Sequence, residues 1–146
     1  MLTIKKMTEA MRDEVLPMVL AFYHSDAVCH AVPEETLRRT FNDAVSDDPV
    51  LEGFVLVEDG VIIGFAYTTT FYACEVGGRC MMIEEIFLKE EARGKGYGTE
   101  FFNRLFSQHP EITRFRLEAT EENQAAIALY KRLGFDFLDY LQLVRE

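Results

Sequence analysis

Tryptophan is missing, and cysteine and proline are scarce, three and four residues in 146. Cys29, Cys74 and Cys80 have no metal-ligand spacing, and their odd number excludes a closed disulfide framework. Cys74 and Cys80 flank Gly77-Gly78. A two-residue turn there pairs Val76 with Arg79, Glu75 with Cys80 and Cys74 with Met81. The two thiols then point to opposite faces, which disfavours a bridge between them. Long apolar runs are also lacking, and none approaches the roughly 20 residues of a membrane-spanning helix. Near the N-terminus Lys5, Lys6, Glu9, Arg12, Asp13 and Glu14 interrupt any signal-peptide core, so the expected location is cytoplasmic. Basic residues are few, 15 Lys and Arg against 25 Asp and Glu, for a formal net charge of -10. That balance argues against nucleic acid or an anionic membrane as the main partner. It suits a cationic substrate, and solubility alone also accounts for it.

What is present is the pattern of one α/β (α+β) domain over residues 1–146, with no repeat or linker. "LTIKKM" reads as a strand. "TEAMRDEVLPMVLAFY" reads as a helix that Pro17 kinks or splits. "PEETLRRTFNDAVS" carries helix-start signals in Pro33, Glu34 and Glu35. Two apolar strands flank Asp59-Gly60, a hairpin signal, and "RCMMIEEIFL" follows as a further strand. Phe101, Phe102, Leu105 and Phe106 recur at helical spacing. "EITRFRLEA" alternates as a strand, "EENQAAIALYKRL" is a helix closed by Gly134, and "FDFLDYLQLV" reads as a last strand. The expected order is β-α-α-β-β-β-α-β-α-β, with a mixed, mostly antiparallel central sheet flanked by helices.

The stretch "ARGKGYGTEFF" places three glycines between a strand and a helix. Glycine is a poor helix former, so its clustering at a helix start asks for a reason. Amides at a helix N-terminus lack intrahelical partners and sit at the positive end of the dipole. Glycines let successive amides turn toward one anion. Arg93 and Lys95 add charge, so the loop has the design of a phosphate or pyrophosphate cradle. The dinucleotide fingerprint fails because its third glycine falls on Thr99, and the P-loop spacing is absent. Alone, the loop fits an anion cradle and a packing loop equally.

A second motif decides between them. Asn123, Ala126 and Tyr130 lie on one later helix, with Asn123 and Tyr130 two turns apart on one stripe. "RGKGYG" resembles the Q/R-x-x-G-x-G/A signature of the GNAT superfamily of N-acetyltransferases. "NQAAIALYKRLGF" resembles that superfamily's N-x-x-A-x-x-x-Y-x-x-x-G-F pattern. The resemblance covers the chain from about Gly53 onward well and the N-terminal helices more loosely. It implies a GNAT-like fold, acetyl-CoA as cosubstrate and no metal. It also implies that the amides of Arg93, Gly94, Lys95, Gly96, Tyr97 and Gly98 hold the pyrophosphate, with the Thr99 hydroxyl adding to them. The pantetheine would run beside Ile86, Phe87 and Leu88 like an added strand. Asn123 would hold it from the other side, and Ala126 would leave room for it to pass.

Acetyl transfer to an amine needs the amine neutral. A lysine-like amine with a pKa of about 10.4 is neutral only about once in a few thousand at pH 7. Glu84 and Glu85 lie mid-strand among apolar residues, where carboxylates are costly unless hydrated or paired. They are the candidates for receiving the cation and passing on its proton, Glu84 first and Glu85 second; a strand-edge or ion-pair role is the alternative. Amides near Phe87 and Leu88 are candidates for stabilising the developing oxyanion. By resemblance, Tyr130 is the general acid for the leaving thiolate. No cysteine lies in either motif, so direct attack without an acetyl-enzyme is expected.

The region around the acidic pair is similar to spermidine/spermine and thialysine N-acetyltransferases, which points to a small-molecule amine such as a polyamine or diamine. Tyr23, His24 and His30 lie in the segment that would meet the acceptor, although surface or core roles also fit them. Other amines, an aminoglycoside, an amino acid or a peptide α-amine, are the runner-up acceptors. A non-catalytic acyl-CoA-binding module is the alternative of a different class. A homodimer is expected from the family alone.

Overall fold

The strands pair in chain order. In the computed structural model, which describes residues 1–48 and 50–146, β1 (Thr3–Lys6), β2 (Leu51–Glu58), β3 (Val61–Ala73), β4 (Gly78–Leu88) and β5 (Ile112–Leu117) form one five-stranded sheet. Neighbours are antiparallel except β4 and β5, which are parallel. The β2–β3 turn is the predicted Asp59-Gly60, with φ of 50° and 78°. Two positive φ values are what a tight, twist-matched hairpin turn requires. The helices are α1 (Arg12–Tyr23), α2 (Glu34–Ala44), α3 (Tyr97–Gln108) and α4 (Gln124–Arg132), with short 3-10 turns at Glu9–Met11 and Glu90–Ala92.

Helices cover both faces of the sheet. On one, Val15, Val19 and Phe22 of α1 and Leu37 and Phe41 of α2 pack with Val55, Val57, Phe65 and Tyr67. On the other, Phe101, Phe102 and Leu105 of α3 pack with Leu56, Ala66, Met81 and Ile83. Val55, Leu56 and Val57 are therefore all buried, as a strand covered on both faces must be. Pro17 lies inside α1 and does not split it; the change from 3-10 to α-helix falls earlier, at Arg12.

Two expectations fail. The β3–β4 register differs from that of a Gly77-Gly78 turn. Tyr72 pairs with Arg79, Phe71 with Cys80 and Thr70 with Met81, across a loop from Cys74 to Gly77. Gly77, at φ 63°, ends the loop. Gly78 belongs to the strand instead, because a Cβ there would lie 2.2 Å from Thr113 Oγ1 on β5. The disulfide expectation stands on the new register: Cys74 is exposed, Cys80 buried and all three thiols free. The second failure is the last strand. "FDFLDYLQLV" forms none among the described residues. A strand needs a neighbour to take its backbone hydrogen bonds, and β5, at the sheet edge, has none on its outer side.

Phe102 is the hub of the second core. Its ring lies 5.2 Å from Phe101, 5.9 Å from Phe106, 5.7 Å from Tyr130 and 5.8 Å from Phe135. Phe102→Ala is expected to lower stability by about 3–5 kcal/mol, measured by urea unfolding. A loss below about 1 kcal/mol, the scale of ordinary surface changes, would contradict the hub role.

Candidate active site

Three local features build the site. The first is a bulge. Tyr67 pairs with Glu85 and Thr68 with Ile83, so Glu84 is an extra residue in β4. Met81 and Ile83 face the α3 side, and Ile86 and Leu88 continue there after the bulge. Phe87 packs on the α1–α2 side, with Phe65. Glu85 shares that side and is buried, 7% exposed. Its Oε1 accepts a hydrogen bond from the Tyr23 hydroxyl at the end of α1. Its Oε2 is buried without a partner, as is the hydroxyl of Tyr67 on the paired strand. Burial pushes the Glu85 carboxyl from 4.5 up to about 7; the Tyr23 hydrogen bond opposes the rise and the Glu84 charge adds to it. Burial also raises the Tyr23 and Tyr67 phenols, and the Glu85 carboxylate raises both further. Glu84 is exposed and accepts from Thr69 Oγ1 at 3.0 Å. The structure therefore gives the members of the acidic pair different surroundings, and the buried one is Glu85.

The second feature is a splay. The parallel ladder between β4 and β5 ends at Ile83 and Leu117, while β4 runs on to Leu88. The backbone of Ile86, Phe87 and Leu88 thus lacks a β5 partner on that side. Beyond β5, Thr120 Oγ1 donates to the Asp26 carbonyl after α1. The end of β4 is held by Arg93, whose Nε donates to the Leu88 carbonyl at 3.0 Å and whose guanidinium lies over the Phe87 ring, 5.4 Å from its centroid.

The third feature is the glycine loop with its partner helix. Gly94 and Gly96 have φ of 73° and 84°, and a Cβ on either would meet nothing within 4 Å. The loop backbone is therefore left-handed where a side chain would be strained, and open in front. Gly96 caps α3, whose Glu100 N–H bonds to the Gly96 carbonyl at 3.0 Å. The amides of Tyr97, Gly98 and Thr99 precede that first helical bond, as in any helix first turn. Lys95 and Thr99 are exposed. A Cβ on Gly98 would lie 3.0 Å from Leu129 Cδ2, so this glycine lets α4 pack against the start of α3.

On α4, Asn123 is the N-cap, its Oδ1 accepting from the Ala126 N–H at 3.4 Å. Its capping reading is thus realised, and its side-chain NH₂ is left for other partners. Ala126 is half-buried. Tyr130 sits two turns on. The Phe135 N–H bonds to the Tyr130 carbonyl and the Gly134 N–H to that of Lys131, with Gly134 at φ 92°. This paired closure is a Schellman C-cap, and the Phe135 ring packs on Tyr130 at 6.0 Å. Burial pushes the Tyr130 phenol up to about 12. Tyr130 also lines a cavity of about 690 Å³ between β5, α4 and the segment after Gly134.

Sequence reasoning did not single out Tyr67, whose place opposite Glu85 depends on the bulge. His24 and His30 are exposed, whereas Tyr23 is half-buried against Glu85. Glu85 lies on the α1–α2 side of the sheet with Tyr23, Tyr130 packs in the α3-side core, and the glycine loop meets α4 where Gly98 faces Leu129.

Comparison with known proteins shows the family and the fold. The model of the acetyltransferase (GNAT) family matches residues 16–135, and the chain belongs to that family. An uncharacterized N-acetyltransferase of Methanocaldococcus jannaschii is 28% identical over 138 residues, covering 92% of this chain. The chain spans 60% of that curated relative's length. In fold it is similar to a possible acetyltransferase from Clostridium difficile 630, with a TM-score of 0.83 at 17% identity, covering 99% of this chain and 97% of the other. It is also similar to the aminoglycoside N-acetyltransferase AAC(6')-Iy in complex with CoA, with a TM-score of 0.77 at 17% identity, covering 100% and 95%.

The raised Glu85 value makes a prediction about stability. Between about pH 4.5 and 7 the folded chain holds this proton more tightly than the unfolded chain. Stability due to Glu85 is thus full below that window and lost as pH rises through it. Relative to Glu85→Gln, the unaltered protein should lose about 3 kcal/mol across the window, read from urea unfolding at a series of pH values. Parallel curves would contradict the buried, uncharged carboxyl.

Proposed function

We propose that this chain transfers the acetyl group of acetyl-CoA to a primary amine of a small molecule, by direct attack of the amine on the thioester. The observation that carries the reading is the Gly98–Leu129 packing, which holds an open glycine cradle beside the helix bearing Asn123 and Tyr130. Family membership supports it. In this reading the amides from Gly94 to Thr99 hold the pyrophosphate at the dipole end of α3. The unpaired β4 backbone at Ile86, Phe87 and Leu88 hydrogen-bonds the pantetheine. The Asn123 side-chain NH₂ donates to it from α4.

Acetyl-CoA supplies the activated acyl group. The chain's part is to place a neutral amine on it and to stabilise the charges that develop. Glu85 is the base: a carboxyl near 7 is half ionised at neutral pH and takes a proton more readily than an exposed one. The Tyr23 hydrogen bond orients it. Exposed Glu84 and the acidic net charge draw in a cation, which favours a diamine or polyamine as the acceptor class. Tyr130 is the donor to the leaving sulfur. A phenol near 12 stays protonated throughout the working range. Full transfer to a thiolate of pKa about 8.5 is uphill, so its contribution is a strong hydrogen bond.

The test is thiol release from acetyl-CoA across a panel of amines. We expect amine-dependent release, with kcat/KM rising through an apparent pKa near 7 and Glu85→Gln removing that rise. Binding of acetyl-CoA without release for any amine would favour the silent module. Tyr130→Phe should lower kcat by about 100-fold, the scale of losing one preorganised hydrogen-bond donor to a developing charge, with little change in the acetyl-CoA Kd; an unchanged kcat would remove Tyr130 from the mechanism. Gly96→Val should raise that Kd at least about tenfold, a change of about 1.4 kcal/mol, by isothermal titration calorimetry. An unchanged Kd would remove the cradle.

A further inference from the structure

Arg93 opens the glycine loop, where a cation is expected to face an anion. Its side chain is engaged elsewhere. Nε donates to the Leu88 carbonyl at 3.0 Å, and the guanidinium lies over the Phe87 ring. Both contacts are with the end of β4.

The β3–β4 ladder determines which groups that end presents. The Lys89 N–H bonds to the Ile63 carbonyl at 2.8 Å. The register sets Gly64 opposite Leu88, Phe65 opposite Phe87 and Ala66 opposite Ile86. Alternation in an antiparallel ladder then bonds Phe87 to β3. It turns the N–H and C=O of Ile86 and Leu88 away from β3, into the splay. Arg93 takes one of those groups, the Leu88 carbonyl. That carbonyl and the Lys89 N–H belong to one peptide unit. A charged donor on the carbonyl polarises the unit and strengthens the bond that its N–H makes to Ile63.

We propose that Arg93 is a positioning residue whose side chain acts through β4 rather than by holding a phosphate. By capping the Leu88 carbonyl it locks the last β3–β4 rung, and so fixes the Leu88 N–H that faces the splay. In the proposed function, on which this role rests, a pantetheine pairing with β4 as an added strand needs that N–H held in line. The residue that begins the cradle is thus the one that ties down the strand before it.

Two substitutions separate a hydrogen bond from a charge. Arg93→Gln places an N–H donor, Nε2, the same number of bonds from the backbone as the Arg93 Nε, and removes the charge. Arg93→Met keeps neither. Amide exchange by NMR reads the clamp without any ligand. We expect Arg93→Met to speed exchange of the Lys89 amide about tenfold, the scale of one hydrogen bond. The Phe65 amide, one rung further in, should be unchanged. Arg93→Gln should keep Lys89 within about threefold of the native chain. Titration calorimetry with acetyl-CoA reads the consequence. Its Kd should rise about tenfold in Arg93→Met and return to within about threefold of native in Arg93→Gln. Arg93→Gln as impaired as Arg93→Met would assign the effect to charge and overturn the proposal. So would unchanged Lys89 exchange in Arg93→Met, an equal loss at Phe65, or faster exchange with an unaltered Kd. A native chain that binds no acetyl-CoA would count against the proposed function alone, and Lys89 exchange would still decide the clamp.

Discussion

One inserted residue decides which way the second half of β4 faces. Without Glu84 as a bulge, strict alternation would send Glu85 and Phe87 to the same side as Met81 and Ile83, into the apolar core under α3. With it, Glu85 turns to the α1–α2 side and meets Tyr23 and Tyr67. The bulge also lies where the ladder to β5 stops. A carboxyl in a polar niche and an opening in the sheet therefore come from the same irregularity. Each is unfavourable alone: a buried carboxyl with one orphaned oxygen, and a strand with an unpaired margin. In the proposed function, a ligand entering the opening would satisfy both.

The other half of the site rests on a helix end. The Tyr-x-x-x-Gly-Phe spacing is a closing device with a physical content. Gly134 takes the left-handed turn, and Phe135 folds back to bond the Tyr130 carbonyl and pack on its ring. Phe102 and Phe135 then restrict the phenol from two sides. The same α4 packs on α3 at Gly98, so the helix that bears Tyr130 also meets the loop that would carry a pyrophosphate. A Cβ at Gly98 would lie 3.0 Å from Leu129 Cδ2, so that side-chain tip would have to shift to admit it.

Much of this was legible in the residues because it is local. The Asp59-Gly60 hairpin, the α3 stripe of Phe101, Phe102 and Leu105, and the Gly134 cap each need only a few neighbouring positions to be recognised. What was not legible depends on partners far away in sequence. Two adjacent glycines suggested a two-residue turn, whereas Gly78 is a glycine because Thr113 of β5 presses on it. By sequence Glu84 ranks ahead of Glu85, and only the bulge reveals that Glu84 is exposed and Glu85 buried. The apolar run after Gly134 signals a strand, but a strand exists only with a neighbour, and none is offered among the described residues. In the candidate site the motif residues were legible from spacing alone, while Tyr67, which carries no motif, could be found only through its cross-strand pairing.

The strand order has a consequence for how the molecule assembles. Because the sheet runs β1-β2-β3-β4-β5, every ladder joins strands that are consecutive in the chain. The β2–β3 and β3–β4 ladders close over a short turn and a short loop, so the entropy lost in forming them is small. The β1–β2 ladder must close over both N-terminal helices, and β4–β5 over α3. The cheapest first structure is thus the central three-stranded meander. The bulge is internal to it, so on closure entropy it is expected to form before either helical layer arrives. The facing of Glu85 is decided by the shortest-range part of the fold, and the two long closures are built around a carboxyl already pointed.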